Sequence, residues 1–366
     1  MGTKTQQYIK TDKWISVNMG ANASPNNPII PLGRNLVACF FHYGTMMSPS
    51  NGRISKKQHR HHFRGAFMLE ITNPTEAELE ITLRVAFQHL LPDESALRIG
   101  MLMQQYQSGQ VDLRGVFQAK HENNLVGALY AQSRPDGSVM LWVPAMAEGF
   151  PLEPLCESLI QFCRSQNAFA AVALADRNQP FDEPSFCSAG QFHFLSDLVY
   201  LAVEVSPNEP QEQPYRLQFV PLSDCPEDVS DRLTRLVKET YQHSLDFPDL
   251  MQIAPVESVL QGYKAGSLFR PELWFFLQIG GTDVGVLLLA DTSPDQFELT
   301  YMGLIESARG QGFSQEIVHF AKAITSREKR ALLLTTVDEK NIPACQSYLV
   351  QGFKAWDRKK VYARFF

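Results

Sequence analysis

The sequence predicts an α/β protein (α+β mixed sheet) built from two similar halves, each a twisted mixed β-sheet flanked by helices. Strand-like segments interleave with segments whose apolar residues recur every three or four positions. The same order of strand, helix, hairpin, strand, helix and strand occurs in 67–205 and again in 215–366. Between them, 206–214 reads SPNEPQEQP, a composition typical of an exposed linker.

Composition limits the classes of protein that the chain can represent. The 366 residues, the net charge of −6 and the 44% hydrophobic content suit a globular protein of two or three domains. No apolar stretch approaches the roughly 18 residues that cross a bilayer, so no membrane partner is expected. The six cysteines are scattered without a C-x-x-C pair, which predicts no zinc site or disulfide framework and favours a reduced, cytoplasmic setting.

Charge is unevenly distributed along the chain. Residues 1–65 carry nine Lys or Arg and one acid, a net +8 that leaves −14 on the remainder. We expect this basic leader to be poorly ordered; a targeting peptide, a nucleic-acid arm and a metal tract at His59, His61 and His62 are alternatives. Arg60 between the histidines disfavours a metal, so none is predicted. The acidic body disfavours a nucleic-acid partner.

The elements of the first half follow from periodicity. A helix after Pro74 and Thr75 carries Leu79, Leu83 and Phe87 on one face, and Pro and Thr are favoured at a helix start. The other predicted elements are a strand at 67–72, a hairpin over 115–132, a strand at 137–146, a helix over 152–164, a buried strand at 168–175 and a strand pair over 192–205.

The second half repeats this order. Val284-Gly285-Val286-Leu287 in its hairpin matches Val126-Gly127-Ala128-Leu129 in the first. Its predicted elements are a strand at 215–222, a helix from Val229 to Tyr241, a hairpin over 273–291, a strand at 297–305, a helix over 313–324, a buried strand at 331–337, a short helix at 341–351 and two closing strands at 352–356 and 360–366.

The stretch ARGQGFS, 308–314, lies between a predicted strand and a predicted helix. A helix N-terminus exposes N–H groups and a partial positive charge, so it favours an anion. Gly310 and Gly312 let the backbone turn its N–H groups inward, and Arg309 adds a positive charge. By itself the loop is either a phosphate cradle or a plain bend, since it matches neither the P-loop nor the dinucleotide fingerprint.

Spacing downstream of the loop adds a second motif. Asn341, Ala344, Tyr348, Gly352 and Phe353 follow the order N-x-x-A-x-x-x-Y-x-x-x-G-F. With Arg309-x-x-Gly312-x-Ser314, this resembles the GNAT (Gcn5-related) N-acetyltransferase family over 215–366. Ser314 departs from the family's Gly or Ala, and Phe313 from its usual aliphatic residue. The whole chain thus resembles a tandem arrangement of two GNAT-like (acyl-CoA N-acyltransferase) domains.

The resemblance implies an N-acyltransferase that moves an acetyl group from acetyl-CoA to an amine by direct attack. It places the pyrophosphate on 309–314, with Asn341 orienting the cofactor or capping the last helix. It places the pantetheine arm beside Gly303 and Leu304, where Gly303 otherwise marks a bulge. It makes Tyr348 the general acid and Glu298 the base. Each residue also has a purely structural alternative. Tyr348 would be a half-buried aromatic side chain on a short helix, and Glu298 a solvated acid at the end of a strand. The residues implied for the cofactor are Gly303, Leu304, Arg309, Gly310, Gln311, Gly312, Phe313, Ser314 and Asn341.

The acceptor amine and the oligomeric state are not specified. Tyr301 is a second candidate for lining the acceptor pocket. Asp246, Asp249 and Glu257, in the segment 241–262, offer charges for a cationic amine, although a solvated mobile segment is the favoured interpretation there.

The first half lacks both motifs: AMAEGFPLEPL replaces the glycine loop, and Phe186 falls roughly at the tyrosine position. It is predicted to be a degenerate copy. Two alternatives to the acyl-CoA-dependent N-acyltransferase remain. One is a catalytically inactive CoA-binding or regulatory module, and the other is an aminoacyl-transferring enzyme that uses charged tRNA.

Overall fold

The computed structural model describes residues 59–61, 68–176, 181–207, 214–225, 229–266 and 269–366. Nearly all of the predicted leader and most of the predicted linker lie outside these residues. Strand β1 (His59–His61) pairs antiparallel with β2 (Leu69–Thr72). None of the helices in the described ranges is both long enough and apolar enough to cross a membrane.

The first half contains two helices more than the elements predicted for it from the sequence patterns. Helix α1 begins as expected, because the N–H of its N-cap Thr75 donates to Glu78 Oε2 at 2.9 Å. One of the two additional helices, α2 (Pro92–Gln107), buries only Ile99 and Leu102, a stripe too short to stand out. The other, α4 (Glu183–Gly190), has only eight residues. The elements are α1 (Glu76–Ala86), α2 (Pro92–Gln107), β3 (Val116–His121), β4 (Asn124–Ser133), β5 (Ser138–Trp142), β6 (Ala145–Met146), α3 (Glu153–Ser165), β7 (Ala170–Asp176), α4 (Glu183–Gly190) and β8 (His193–Glu204).

The second half is helical where the sequence favoured a solvated segment at 241–262. Helices α6 (Pro248–Met251) and α7 (Val256–Gly266) cover half of that segment, and their Leu250, Met251 and Val259 are buried, so the solvated interpretation was wrong. The elements are β9 (Gln218–Pro221), α5 (Val229–Tyr241), α6 (Pro248–Met251), α7 (Val256–Gly266), β10 (Trp274–Ile279), β11 (Thr282–Ser293), β12 (Gln296–Leu304), α8 (Phe313–Arg327), β13 (Leu332–Asp338), α9 (Ile342–Val350) and β14 (Lys354–Phe365).

The two halves share one structural detail that periodicity does not reveal. In the first half, β4 pairs Ala131 with Leu141 and Gly127 with Met146. In the second half, β11 pairs the residues 158 positions later, Leu289 with Leu299 and Gly285 with Leu304. Both pairings slip by one residue between these points, which is the mark of a β-bulge. The central hairpin of one half is therefore repeated, bulge included, in the other.

The last strands of the halves are exchanged within one continuous sheet, in the order β1-β2-β3-β4-β5-β7-β14-β8-β13-β12-β11-β10-β9. Strand β8 of the first half pairs with β13 of the second, and β14 of the second pairs with β7 of the first. The strand pairs expected at 192–205 and 352–366 were wrong, because each segment is one long strand. Each half thus covers a sheet edge of the other, and all described residues belong to one compact unit.

Candidate active site

Strands β12 and β13 run parallel and then separate, and this separation opens a cleft. They pair from Gln296–Leu299 against Leu332–Thr335. Where the pairing ends, Thr335 Oγ1 donates to the carbonyl of Leu299 at 3.0 Å. On the opposite edge of β12, the pairing with β11 slips at Thr300. This bulge changes the direction of the end of β12. The gap between the ends of β12 and β13 can accept an extended ligand chain.

The glycine loop (305–312) follows β12 and leads into α8. A 3₁₀ turn at Glu306–Ala308 begins it. Gly310 and Gly312 then adopt left-handed backbone angles, with φ of +73° and +81°. No atom lies within 4 Å of the position a Cβ would take at Gly310, so conformation rather than crowding requires glycine there.

The N-terminus of α8 has no cap from the protein. Gly312 is its N-cap residue and has no side chain to accept a hydrogen bond. Within the described part of the chain, the backbone N–H groups of 310–314 find no acceptor. The first N–H groups of a helix normally need side chains, water or a ligand, and the helix dipole makes an anion the favoured partner. The loop therefore presents a cradle of N–H groups.

The guanidinium of Arg309 donates its hydrogen bonds to backbone carbonyls of the protein and not to the space in front of the cradle. Its Nε donates to the carbonyl of Leu304 at 3.0 Å, and its Nη2 donates to the carbonyls of Thr240 and Gln242 at 2.9 and 2.8 Å. Its Nη1 donates to the carbonyl of His243 at 3.1 Å. The guanidinium thus caps the C-terminus of α5 and ties it to β12, so Arg309 supports the loop by fixing its position.

Replacing Arg309 should therefore lower the stability of the fold more than it lowers the affinity for a ligand in the cradle. Arg309→Gln leaves carbonyls at the end of α5 without their charged donor, and we expect the ligand-free protein to lose about 1–3 kcal/mol of stability. Thermal unfolding without ligand measures this. A direct phosphate contact predicts the opposite pattern, in which the unfolding temperature is unchanged and only nucleotide affinity falls.

A second arginine lies beside the loop, and the sequence patterns did not single it out. Arg216 Nη2 donates to the carbonyl of Gln311 at 3.0 Å, and its guanidinium lies 4.4 Å from the centre of the Phe313 ring. Glu316 pairs with its Nε at 2.5 Å. Arg216 precedes β9, almost a hundred residues before the loop, so only the folded sheet brings it here.

Gly303 is required by side-chain packing. A Cβ at this position would lie 2.6 Å from the Tyr301 hydroxyl and 2.7 Å from Thr240 Oγ1. These two hydroxyls are hydrogen-bonded to each other at 2.8 Å. The expected bulge lies at Thr300 instead, and Gly303 makes room for the bonded pair.

Helix α9 forms the other wall of the cleft. Asn341 is its N-cap, and Oδ1 of Asn341 accepts the N–H of Ala344 at 3.3 Å, as the capping interpretation predicts. Tyr348 is buried, with its ring 5.3 Å from that of Phe353. Ser314 Oγ lies 2.9 Å from Ser347 Oγ, so the serine that departs from the family pattern joins α8 to α9.

Most of the predicted site residues line this one cleft, which has a volume of about 690 Å³. The predicted residues in its walls are Gly303, Leu304, Arg309, Gly310, Gly312, Phe313, Ser314, Asn341 and Tyr348. Tyr301 lines it as well. Gln311 does not, because its side-chain amide donates to the carbonyl of Ser307 at 2.9 Å.

Glu298 also lies outside the cleft walls. It is buried, at 3% exposure, and opposes Ala290 on β11 and Leu334 on β13. Burial raises the pKa of Tyr200 on β8, and the charges of Asp357 and Glu298 add to this rise. Glu298 is therefore within electrostatic range of a tyrosine of the first half. The solvated strand-end interpretation was wrong, since the residue is buried.

Asp246 is a carboxylate in the cleft wall. Its Oδ1 accepts the N–H of Asp338 at 3.0 Å, and the N–H of Phe247 donates to Asp338 Oδ2 at 3.1 Å. Burial, reinforced by the charge of Asp338, raises the pKa of Asp246 to about 6, although the Asp338 N–H opposes the rise. The Asp246–Asp338 contact joins positions 92 residues apart.

Removing this charge should stabilise the protein at neutral pH. A raised carboxyl pKa means that the folded state holds the proton more tightly, so the ionised group costs stability above about pH 6 and not below about pH 4. We expect Asp246→Asn to gain about 1–2 kcal/mol at pH 7.5, a value reduced for partial exposure. Urea unfolding at both pH values tests this; an equal gain at pH 4 would contradict it.

The equivalent strands of the first half stay paired further than those of the second half. Strands β5 and β7 pair through Trp142 and Leu174, one residue beyond the equivalent point in the second half, and the N–H of Val143 donates to the carbonyl of Leu174 at 3.4 Å. The Trp142 ring is covered by Arg98 and Lys359, at 4.9 and 5.9 Å from its centre. Among these described residues, β5 and β7 therefore stay together for one residue more than β12 and β13 do.

The first half also lacks the chemical groups of the second. The 158-residue offset places Met140 at the position of Glu298 and Ala145 at that of Gly303. Helix α4 begins at the N-cap Asp182 as α9 begins at Asn341. Counted from these caps, Ala189 rather than Phe186 corresponds to Tyr348. With either residue, no phenol is present.

Structural comparison identifies the fold. A GCN5-related N-acetyltransferase from Sphaerobacter thermophilus superimposes with a TM-score of 0.54 and 14% sequence identity, over 81% of this chain and 95% of that one. A GCN5-related glucosamine N-acetyltransferase region of a fungal multi-domain GH3 beta-N-acetylglucosaminidase superimposes with a TM-score of 0.53 and 13% identity, over 82% of this chain and 38% of that one. No protein-family model and no curated protein sequence matches the chain.

The protein therefore has the fold of the GCN5-related N-acetyltransferases, as the sequence motifs predicted. A tandem GNAT protein from the clavulanic acid biosynthesis pathway also matches, but with a TM-score of 0.42 it does not bear on the duplication.

Proposed function

We propose that the protein is an acyl-CoA-dependent N-acyltransferase whose working site is the cleft between β12 and β13. The observation that carries the proposal is the uncapped N-terminus of α8, whose N–H cradle opens beside two separated parallel strands. The sequence motif and the fold of the solved acetyltransferases agree with it. Acetyl-CoA is the proposed donor and an amine the proposed acceptor.

The residues present fit the donor's chemistry. Two left-handed glycines leave space for a pyrophosphate on the N–H groups of 310–314. The N–H of Arg309 is not part of this cradle, because it donates to the carbonyl of Glu306 at 3.1 Å. The pantetheine arm would lie along Gly303 and Leu304. Asn341, whose Oδ1 is used as the helix cap, has its amide nitrogen for a contact with the donor.

In the proposed reaction, a neutral amine attacks the thioester carbonyl, the C–N bond forms and the C–S bond breaks. The leaving thiolate needs a proton, and Tyr348 in the cleft wall is the proposed donor. A phenol with an ordinary pKa near 10 can protonate a thiolate of pKa about 8.5 when it is well positioned. Glu298 is retained as a proposed base acting through water, since it does not reach the cleft itself.

Thiol release tests the proposed activity. Purified protein is mixed with acetyl-CoA and a panel of primary amines, and free coenzyme A is measured with a thiol reagent. Amine-dependent release is expected, and Glu298→Gln should slow it if the water-mediated role holds. Tight binding of acetyl-CoA without release for any amine would instead favour the catalytically inactive CoA-binding module.

A further inference from the structure

The sequence offers three acidic residues for a cationic acceptor, Asp246, Asp249 and Glu257, and the structure places them in different surroundings. Asp249 is exposed at the start of α6, and Glu257 pairs with Lys238 Nζ at 2.6 Å on the surface. Asp246 lines the cleft that also contains Tyr348 and Gly303. Of these three carboxylates, Asp246 is therefore the one placed to meet a molecule in the cleft.

Hydrogen bonds hold Asp246 in position and leave one oxygen open. Its Oδ1 accepts the N–H of Asp338, and Asp338 Oδ2 accepts the N–H of Phe247. These two reciprocal hydrogen bonds hold Asp246 and Phe247 against the end of β13. Asp338 is 1% exposed and also accepts from Ser196 Oγ and from the N–H of Lys340. No donor from the described residues reaches Oδ2 of Asp246. This oxygen is available to a ligand.

We propose that Asp246 Oδ2 binds the acceptor as an ammonium ion and removes its proton, which makes the substrate class a primary amine that is protonated in solution. This inference rests on the proposed function. It assigns to Asp246, within the cleft, the direct contact with the amine that Glu298 cannot make from outside the cleft.

The proton balance of the step is complete. The Asp246 carboxylate takes one proton from the ammonium and later releases it to water. The neutral nitrogen forms the C–N bond as the C–S bond breaks, and Tyr348 protonates the thiolate. The second nitrogen proton returns through water to the Tyr348 phenolate, so the products are an amide, the free thiol and one proton.

Several ionisable groups surround Asp246 and define its pH response. Asp338 on β13 lies next to it, and Cys345 on α9 has its pKa raised to about 11 by burial and by the nearby carboxylates. His243, Glu306, Arg309 and Tyr348 line the same cleft. His243 is paired with Glu306 at 3.2 Å, so the test has to separate the contribution of this imidazole from that of Asp246.

Matched probes test the inference without knowledge of the acceptor. Coenzyme A is alkylated on sulfur with chains of two, three or four carbons that end in an ammonium group, and each is paired with an equal chain that ends in methyl. Calorimetric titration at pH 7.5 gives Kd for wild type, Asp246→Asn and the control Asp249→Asn. His243→Gln at pH 5.5 and 7.5 separates the histidine's contribution.

For at least one chain length, wild type and Asp249→Asn should bind the ammonium probe about tenfold tighter than its methyl partner. Asp246→Asn should lose this preference while binding coenzyme A itself as wild type does. The preference should shrink at pH 5.5 in both wild type and His243→Gln. Binding of coenzyme A without an ammonium preference in wild type overturns the inference alone, as does a preference that survives in Asp246→Asn. If coenzyme A does not bind wild type, the proposed function fails as well.

Discussion

Gly312→Glu should raise the Kd for acetyl-CoA by at least about 100-fold. A carboxylate at this position lies in the N–H cradle, where it repels the pyrophosphate and draws Arg216, whose Nη2 is 3.7 Å from the Cβ position. The φ of +81° adds about 1–2 kcal/mol of backbone strain for a residue with a side chain. Calorimetric titration measures the loss.

Two variants separate charge from strain in this experiment. Gly312→Ala introduces the strain without the charge, so it should lose much less affinity than Gly312→Glu. Gly281→Glu places the same charge at the same backbone angle, φ +80°, in the turn between β10 and β11, where nothing lies within 4 Å. Gly281→Glu should bind like wild type. If Gly312→Glu also binds like wild type, the cradle does not hold the pyrophosphate.

Tyr348→Phe should lower kcat by about 100-fold or more and leave the affinity for acetyl-CoA nearly unchanged. The phenyl ring fills the same space against Phe353, but the leaving thiolate loses its proton donor. Steady-state kinetics with the best amine of the panel gives kcat, and titration gives the affinity.

Tyr301→Phe is the matched control for this variant. Tyr301 lines the same cleft, but its hydroxyl is bonded to Thr240, so its loss should affect stability more than kcat. An unchanged kcat in Tyr348→Phe, or an equal fall in Tyr301→Phe, would remove Tyr348 from its proposed role.

Local features of this protein could be predicted from the sequence. Thr75 and Asn341 cap helices where their positions suggested, because an N-cap depends on residues only three positions apart. The left-handed angles of Gly310 and Gly312 likewise follow from local preference. The cleft walls follow because 303–314 is a single strand, loop and helix start, and α9 is tied to it through Ser314 and Ser347.

Features that depend on distant partners could not be predicted. Arg309 looks like a phosphate ligand in the sequence, yet its Nη donors are taken by carbonyls 66–69 residues earlier in the chain. Glu298 is buried at the place where β12 pairs with β13. Asp246 is held in the cleft wall by its hydrogen bond with the N–H of Asp338. The exchange of β8 and β14 between the two halves could not be predicted for the same reason. Each is one uninterrupted strand whose partners lie in the other half.

Calorimetric titration of the wild-type protein with acetyl-CoA tests the central claim most directly, because stoichiometry distinguishes the two halves. The cleft beside β12 and the longer pairing of β5 with β7 predict one molecule bound per chain, and Gly312→Glu should abolish that single event. Two bound molecules per chain, or none, would contradict the account.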